Sequence, residues 1–203
     1  HPDDIKRVFG TVREPKHRTG FDRNYWIWEE YLTDCNYMLV ADVARGEGKD
    51  YSVFHIIKLE TMEVVGEYQG KPAPDVYGNM LFSAGKEYGN CLLVVENNSV
   101  GFAVLDKLKD LEYPNLYYSV KSTHEYVNQL EAEVMSNSVA GFTTSQKTRP
   151  LIVAKLEEFI RNKLITIYSS RTANEFKTFV WRNGRPEAMR SYNDDLTMAL
   201  AIG

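Results

Sequence analysis

Asp42 stands inside an apolar run, with Leu39, Val40 and Ala41 before it and Val43 and Ala44 after it. A short run of this kind predicts a buried strand, and nearly complete burial for the carboxylate within it. Such a group is costly unless it is paired, hydrogen-bonded or coordinating a metal. A glycine-bearing turn, GEGK at 46–49, follows, and a second apolar run leaves over 51–59. Any fold of this chain has to accommodate that carboxylate. Asp42 is therefore the first candidate for a metal ligand.

The segments 37–44, 51–59 and 63–69 are short and rich in β-branched or aromatic residues, with polar or glycine-bearing turns between them. They predict an antiparallel meander. Pro72 and Pro74 end the third, and Asp75 is placed to cap a helix over 75–88. The run 91–96 is too short for a helix and reads as a buried strand ending on Glu96. A loop over 97–101, a helix over 100–111 and a strand over 115–120 follow. Residues 121–145 show no clear periodicity and read as a loop or edge excursion, one suited to gate a groove. From Pro150 the spacing of Leu151, Ala154, Leu156, Phe159 and Ile160 marks an amphipathic helix. A short strand over 164–168 comes next, 175–180 fits helix or strand, and Asn183-Gly184 predicts a type I′ hairpin. The last helix begins at Asn193 or Asp194. This order predicts an α/β fold with one mixed sheet flanked by helices. Residues 1–35 are polar and irregular up to an aromatic stretch at 25–32. Two readings stand for them: a linker or N-terminal extension from another domain, with 36–203 as the domain proper, or packing on this domain's own core.

Charge narrows the partners. The chain carries a net charge of −4, yet residues 141–203 hold ten Lys and Arg against six Asp and Glu. A basic face on an acidic protein suits a phosphate-rich substrate. No apolar run approaches the roughly 20 residues of a membrane span, and Cys35 and Cys91 lack metal-ligand spacing and read as free thiols. GEGK is no phosphate-binding loop, since Val43 stands where its first glycine belongs and Asp50 replaces Ser or Thr. Residues 42–53 are no calcium loop either, with Ala44 and Gly46 at ligand positions and Val53 in place of the terminal Glu.

Three apolar elements carry carboxylates at their ends: Asp42 on the first strand, Glu96 on the fourth, and Asp194-Asp195 at the start of the last helix. Each has an ordinary reading, a helix cap for the aspartate pair and a solvated strand end for Glu96. Together they predict an oxygen-only site. Carboxylates brought so close raise one another's pKa unless a cation compensates, and the ligand type favours Mg²⁺ or Mn²⁺ over zinc. Two such ions would serve phosphodiester hydrolysis.

Four segments, LVADVARGEGKDYSVFHII at 39–57, LVVENNSVG at 93–101, TSQKTRP at 144–150 and YNDDLTMAL at 192–200, together resemble the nuclease domain of tailed-bacteriophage large terminases, in the branch typified by large myoviruses. The resemblance covers about residues 35–203. It implies an RNase H/resolvase-like fold following an ATPase domain that lies outside this chain. It implies Asp42, Glu96 and Asp195 as a catalytic metal-binding triad, with Asp194 as an adjacent ligand and Asp50 as a further acidic position. Many relatives have His before the final aspartate pair; here Asn193 stands there, which can donate a hydrogen bond but not titrate. Lys121, Lys147, Arg149, Arg182, Arg185 and Arg190 are the candidates for backbone contacts to double-stranded DNA. The implied activity is cutting of concatemeric viral DNA for headful packaging, in the host cytoplasm, with the phage portal and small terminase subunit as partners and no membrane. A resolvase- or transposase-type nuclease on the same fold, or a non-catalytic DNA-grip and docking module, are the alternatives.

Overall fold

The protein, a computed structural model, is described over residues 1–46, 48–98, 100–120 and 138–203. The expected gating loop therefore lies largely outside the described residues, as does Lys121. Its last part does not read as loop: Ser138–Ala140 is a strand, β8, paired with β7 (Tyr118–Val120).

The predicted meander is present. Strands β3 (Tyr37–Asp42), β4 (Ser52–Lys58) and β5 (Glu63–Gly70) pair antiparallel, and β6 (Leu92–Val95) joins β3 in parallel. All seven residues of β4 are buried, which places it at the centre of the sheet. Strands β1 (His17–Thr19) and β2 (Tyr25–Ile27) extend the sheet beyond β5, giving the order β1-β2-β5-β4-β3-β6, with β9 (Thr166–Ile167) also paired to β5.

Residues 1–35 thus take the second of their two readings, packing on this domain. Tyr25 pairs with Tyr68 across β2 and β5, and the helix α1 (Pro2–Thr11) buries Val8 in the core with Ile167 and Phe176. The aromatic residues at 25–32 supply the reason. Trp28 is almost wholly buried and donates its indole N–H to the Arg13 carbonyl, and its ring packs near Tyr168. Exposing so large an apolar ring in a linker would forfeit its burial energy.

Helices α2 (Pro74–Glu87) and α3 (Gly101–Asp110) cover one face of the sheet, where Tyr77, Leu81, Val104 and Leu108 meet Leu39, Ala41, Leu93 and Val95. Asp75 lies in the first turn of α2; the cap itself is Ala73, because Pro74 already takes the first helical position. The opposite face carries α1 with α4 (Thr148–Arg161), α5 (Ser170–Thr178) and α6 (Asp195–Ile202), around Val40, Ile57, Val94, Leu156 and Leu200. The ambiguous 175–180 segment is divided: α5 ends at Thr178, and β10 (Phe179–Arg182) pairs with β11 (Arg185–Ala188). Asn183 and Gly184, both at positive φ, form the turn between them as expected. Both cysteines are free. Among the described residues no helix is long and apolar enough to cross a membrane.

Candidate metal centre

Strand alternation assembles the centre. Leu39 and Ala41 face α2 and α3, so Val40 and Asp42 face the side of α6. The same count along β6 puts Val94 and Glu96 on that side. The parallel register pairs Ala41 with Val95, and the Glu96 N–H donates to the Ala41 carbonyl at 2.9 Å. The next side chains along the two strands, Asp42 and Glu96, are therefore neighbours. Asp42 is partly rather than fully buried, because β3 ends there and its side chain lies at the rim of the sheet. Burial, then the adjacent Glu96 carboxylate, a hydrogen bond between the two carboxyls and the charge of Asp195, push the Asp42 carboxyl well above the usual carboxylate range.

Glu96 is fixed by close backbone approaches on two sides. Asn98 donates to its Oε1 at 3.2 Å and to the Thr144 carbonyl at 2.8 Å. Gly141 sits at φ +82°, where a Cβ would stand 2.4 Å from the Val95 carbonyl oxygen. A Cβ on Gly101 would stand 1.9 Å from the carbonyl oxygen of Glu96 itself. Gly101→Ala is accordingly expected to cost about 2–3 kcal/mol by overpacking, read as a fall in Tm; an unchanged Tm would show that the carbonyl yields without cost.

Asp195 opens α6 and is buried. The Tyr51 N–H and the Asn193 side-chain amide both donate to its Oδ2, at 3.1 and 3.0 Å. Burial pushes its pKa up to about 6, against those two hydrogen bonds and with the charges of Asp50 and Asp194 adding to the rise. Asn193 takes the orienting role that its chemistry allows, its Nδ2 also reaching the Lys49 carbonyl at 2.8 Å. Asp50 is exposed and acts on Asp195 by its charge.

Asp194 is turned elsewhere. Its Oδ2 accepts from Arg149 Nη2 at 2.5 Å and from the Ala188 N–H at 3.3 Å, while Arg149 Nε donates to the Pro186 carbonyl at 2.9 Å. Arg149 thereby ties the start of α4 to β11 and to the residue before α6. Arg182 lies 3.7 Å from Glu187. Lys147, Arg185 and Arg190 are exposed. Arg185 also borders a cleft of about 500 Å³ with Thr144, Gln146, Arg149 and Glu187.

Two buried polar residues near α6 escaped the sequence reading. Glu175, on α5, accepts from the N–H groups of Leu196 (3.3 Å) and Thr197 (2.8 Å) and from the Thr197 hydroxyl (3.0 Å). Burial outweighs these bonds and pushes Glu175 up to about 7. His55, on β4, is fully buried and faces the Leu196 carbonyl at 2.8 Å, so Nε2 carries the proton. Its Nδ1 lies 3.8 Å from buried Glu67, which Ser169, Thr172 and Arg171 hydrogen-bond. An amphipathic pattern over 170–178 would have drawn attention to Glu175 on a buried face; nothing local points to its partners.

Among the described residues no three His, Cys, Asp or Glu side chains are grouped so as to hold an ion as they stand. Asp42 and Glu96 form a pair, and Asp195 acts on it through its charge. The donor chemistry fits a hard divalent cation. Two carboxyls stand side by side where a cation would offset their repulsion, and the third places both of its hydrogen bonds on Oδ2.

No family model matches the chain. Solved structures do. The large terminase nuclease from thermophilic phage G20c, with bound magnesium, superposes with a TM-score of 0.71 at 17% identity, over 98% of this chain and 94% of that one. The Thermus phage P74-26 large terminase nuclease domain gives 0.65 at 18% identity, over 98% and 92%. The human cytomegalovirus terminase nuclease domain gives 0.53 at 10%, over 98% and 92%.

The chain has the fold of the terminase nuclease domains.

That fold is the RNase H-like mixed sheet with helices on both faces, here as expected from the order of elements. The match to terminase nuclease domains spans nearly the whole chain, in keeping with the place of β1, β2 and α1 in the domain.

Proposed function

We propose that this chain is a divalent-metal-dependent endonuclease that cuts double-stranded viral DNA for headful packaging, as the nuclease part of a terminase motor. The observation that carries this reading is the side-by-side placement of Asp42 and Glu96 at the rim of the sheet, with the charge of Asp195 acting on Asp42 from the start of α6. The bound magnesium of the phage G20c nuclease, on the same fold, supports it.

Asp42, Glu96 and Asp195 would hold Mg²⁺ or Mn²⁺, with Asp194 a ligand only after leaving Arg149. When bound, one or two such ions polarise the scissile phosphate and lower the pKa of an attacking water. The chain's own part is to present oxygens. Asn98 steadies Glu96 through Oε1, and Tyr51 and Asn193 hold Asp195 through Oδ2. Lys147, Arg182, Arg185 and Arg190 would grip DNA phosphates, whereas Arg149 chiefly holds the scaffold in place. An ATPase domain in the same polypeptide, the portal and the small terminase subunit are the partners this reading implies, in the host cytoplasm.

Nicking and linearisation of plasmid DNA in Mg²⁺ or Mn²⁺, with none in EDTA, is the direct test. Four phosphate contacts should also make DNA affinity fall about a hundredfold between 50 and 200 mM salt. Salt-independent binding without cleavage would overturn the nuclease reading.

A further inference from the structure

The helix that carries Asp195 is not capped by its own sequence. An N-cap aspartate ordinarily accepts a hydrogen bond from the second or third amide of its helix. Asp194 occupies the N-cap of α6 and makes no such bond, because its carboxylate is taken by Arg149 and the Ala188 N–H. The second and third amides, Leu196 and Thr197, instead donate to Glu175, a residue of α5. The Thr197 hydroxyl donates to the same carboxylate. From the sheet side, His55 Nε2 donates to the Leu196 carbonyl. The first turn of α6 is therefore clamped between a buried acceptor from a helix and a buried donor from the central strand. Asp195 is the residue immediately before the two clamped amides, so the clamp sets where its carboxyl stands relative to Asp42 and Glu96.

We infer that Glu175 is a positioning residue of the metal centre, capping α6 from a neighbouring helix so that Asp195 faces the Asp42–Glu96 pair. The inference rests on the metal-nuclease reading above. A carboxylate with neighbours of its own sign is an expensive choice for a purely structural cap. Its charge sits favourably at the positive end of α6, and its three acceptor contacts fix the turn in two directions.

Mn²⁺ binding, followed by the electron paramagnetic resonance signal of free Mn²⁺, tests this on the parent, Glu175→Ala and Glu175→Gln, with circular dichroism confirming the fold. Glu175→Ala should weaken Mn²⁺ affinity about tenfold or more, as loss of a ligand's supporting partner does. Glu175→Gln retains an acceptor oxygen for Thr197 and should recover affinity to within about threefold of the parent. A merely structural cap would lower Tm in Glu175→Ala and leave Mn²⁺ affinity unchanged; that result overturns the proposal. Should Glu175→Ala not fold, Glu175→Asp, whose carboxylate falls one methylene short, gives the same reading: weakened Mn²⁺ affinity supports the role and unchanged affinity overturns it. A parent that binds no Mn²⁺ overturns the metal centre and this role together, whereas equal binding by parent and variants overturns this role alone.

Discussion

Asp42→Asn is expected to abolish cleavage while leaving the chain at least as stable as the parent. The substitution keeps the shape of the side chain and removes one of three mutually repelling carboxyls. Burial and the neighbouring Glu96 already push the Asp42 carboxyl far above its usual range, so its charged form is a burden on the metal-free fold. Relief of that burden should raise the Tm measured in EDTA by about 4 °C, corresponding to about 1–2 kcal/mol in a chain of this size. On the proposed metal-nuclease reading the same oxygen would hold the cation. Losing it should lower the rate of plasmid nicking about a thousandfold, equivalent to about 4 kcal/mol of transition-state stabilisation. Initial nicking rates and thermal melts on the same preparation decide the matter. A variant that cuts at the parent's rate would remove Asp42 from the site, and one that cuts slowly only because it has unfolded would mark it as structural.

The second large effect is a metal-free fold that loses stability as pH rises. Asp195 moves from an ordinary 3.8 to about 6, and Glu175 from 4.5 to about 7, in each case chiefly through burial. Raised carboxyl pKa values favour folding in the protonated state. The stability they contribute is complete below the unfolded values and is lost as pH rises through the folded ones. Each is worth of order 3 kcal/mol over that window, and Asp42 adds to the loss in the same direction. His55, held below its ordinary value by burial, works in the opposite sense but only below its unfolded value of 6.5. In EDTA the Tm should therefore fall as pH rises from 5 to 7, the interval in which the folded Asp195 and Glu175 lose their protons, and change little beyond it. Mg²⁺ should restore Tm at pH 8 and do little at pH 5, where protons compete for the same oxygens. A metal-free Tm that rises across this range would contradict the clustering of these carboxyls.

The two effects share one origin in the sheet. Parallel pairing of β3 and β6 forces side chains that end their strands to stand together, and here both are acids. A proton or a cation would relieve the repulsion within that pair. Asn98, Asn193 and the Tyr51 amide hold the outer oxygens in place, and the glycines at 101 and 141 let neighbouring backbone close around Glu96.

The sequence by itself determined the four strands from Tyr37 to Val95, the order of the elements after them, and the acids worth watching, Asp42, Glu96 and the Asp194–Asp195 pair. Those signals are local: an apolar run of strand length interrupted by Asp42, another ended by Glu96, and Asn-Gly at a hairpin are each legible within a few residues. Only the tertiary structure decided the rest. That residues 1–35 supply two strands and a helix depends on the partners of Trp28 and Tyr25, which lie across the fold. That Asp194 serves Arg149 while Asp195 takes the Tyr51 and Asn193 hydrogen bonds and acts on Asp42 by its charge depends on which way each side chain leaves a helix start, and adjacent residues there point in different directions. That Glu175 caps a helix some twenty residues further along depends on two helices meeting end to side. Strand pairing propagates a local pattern, so sequence can read it; a buried hydrogen bond between distant elements exists only once the chain has packed.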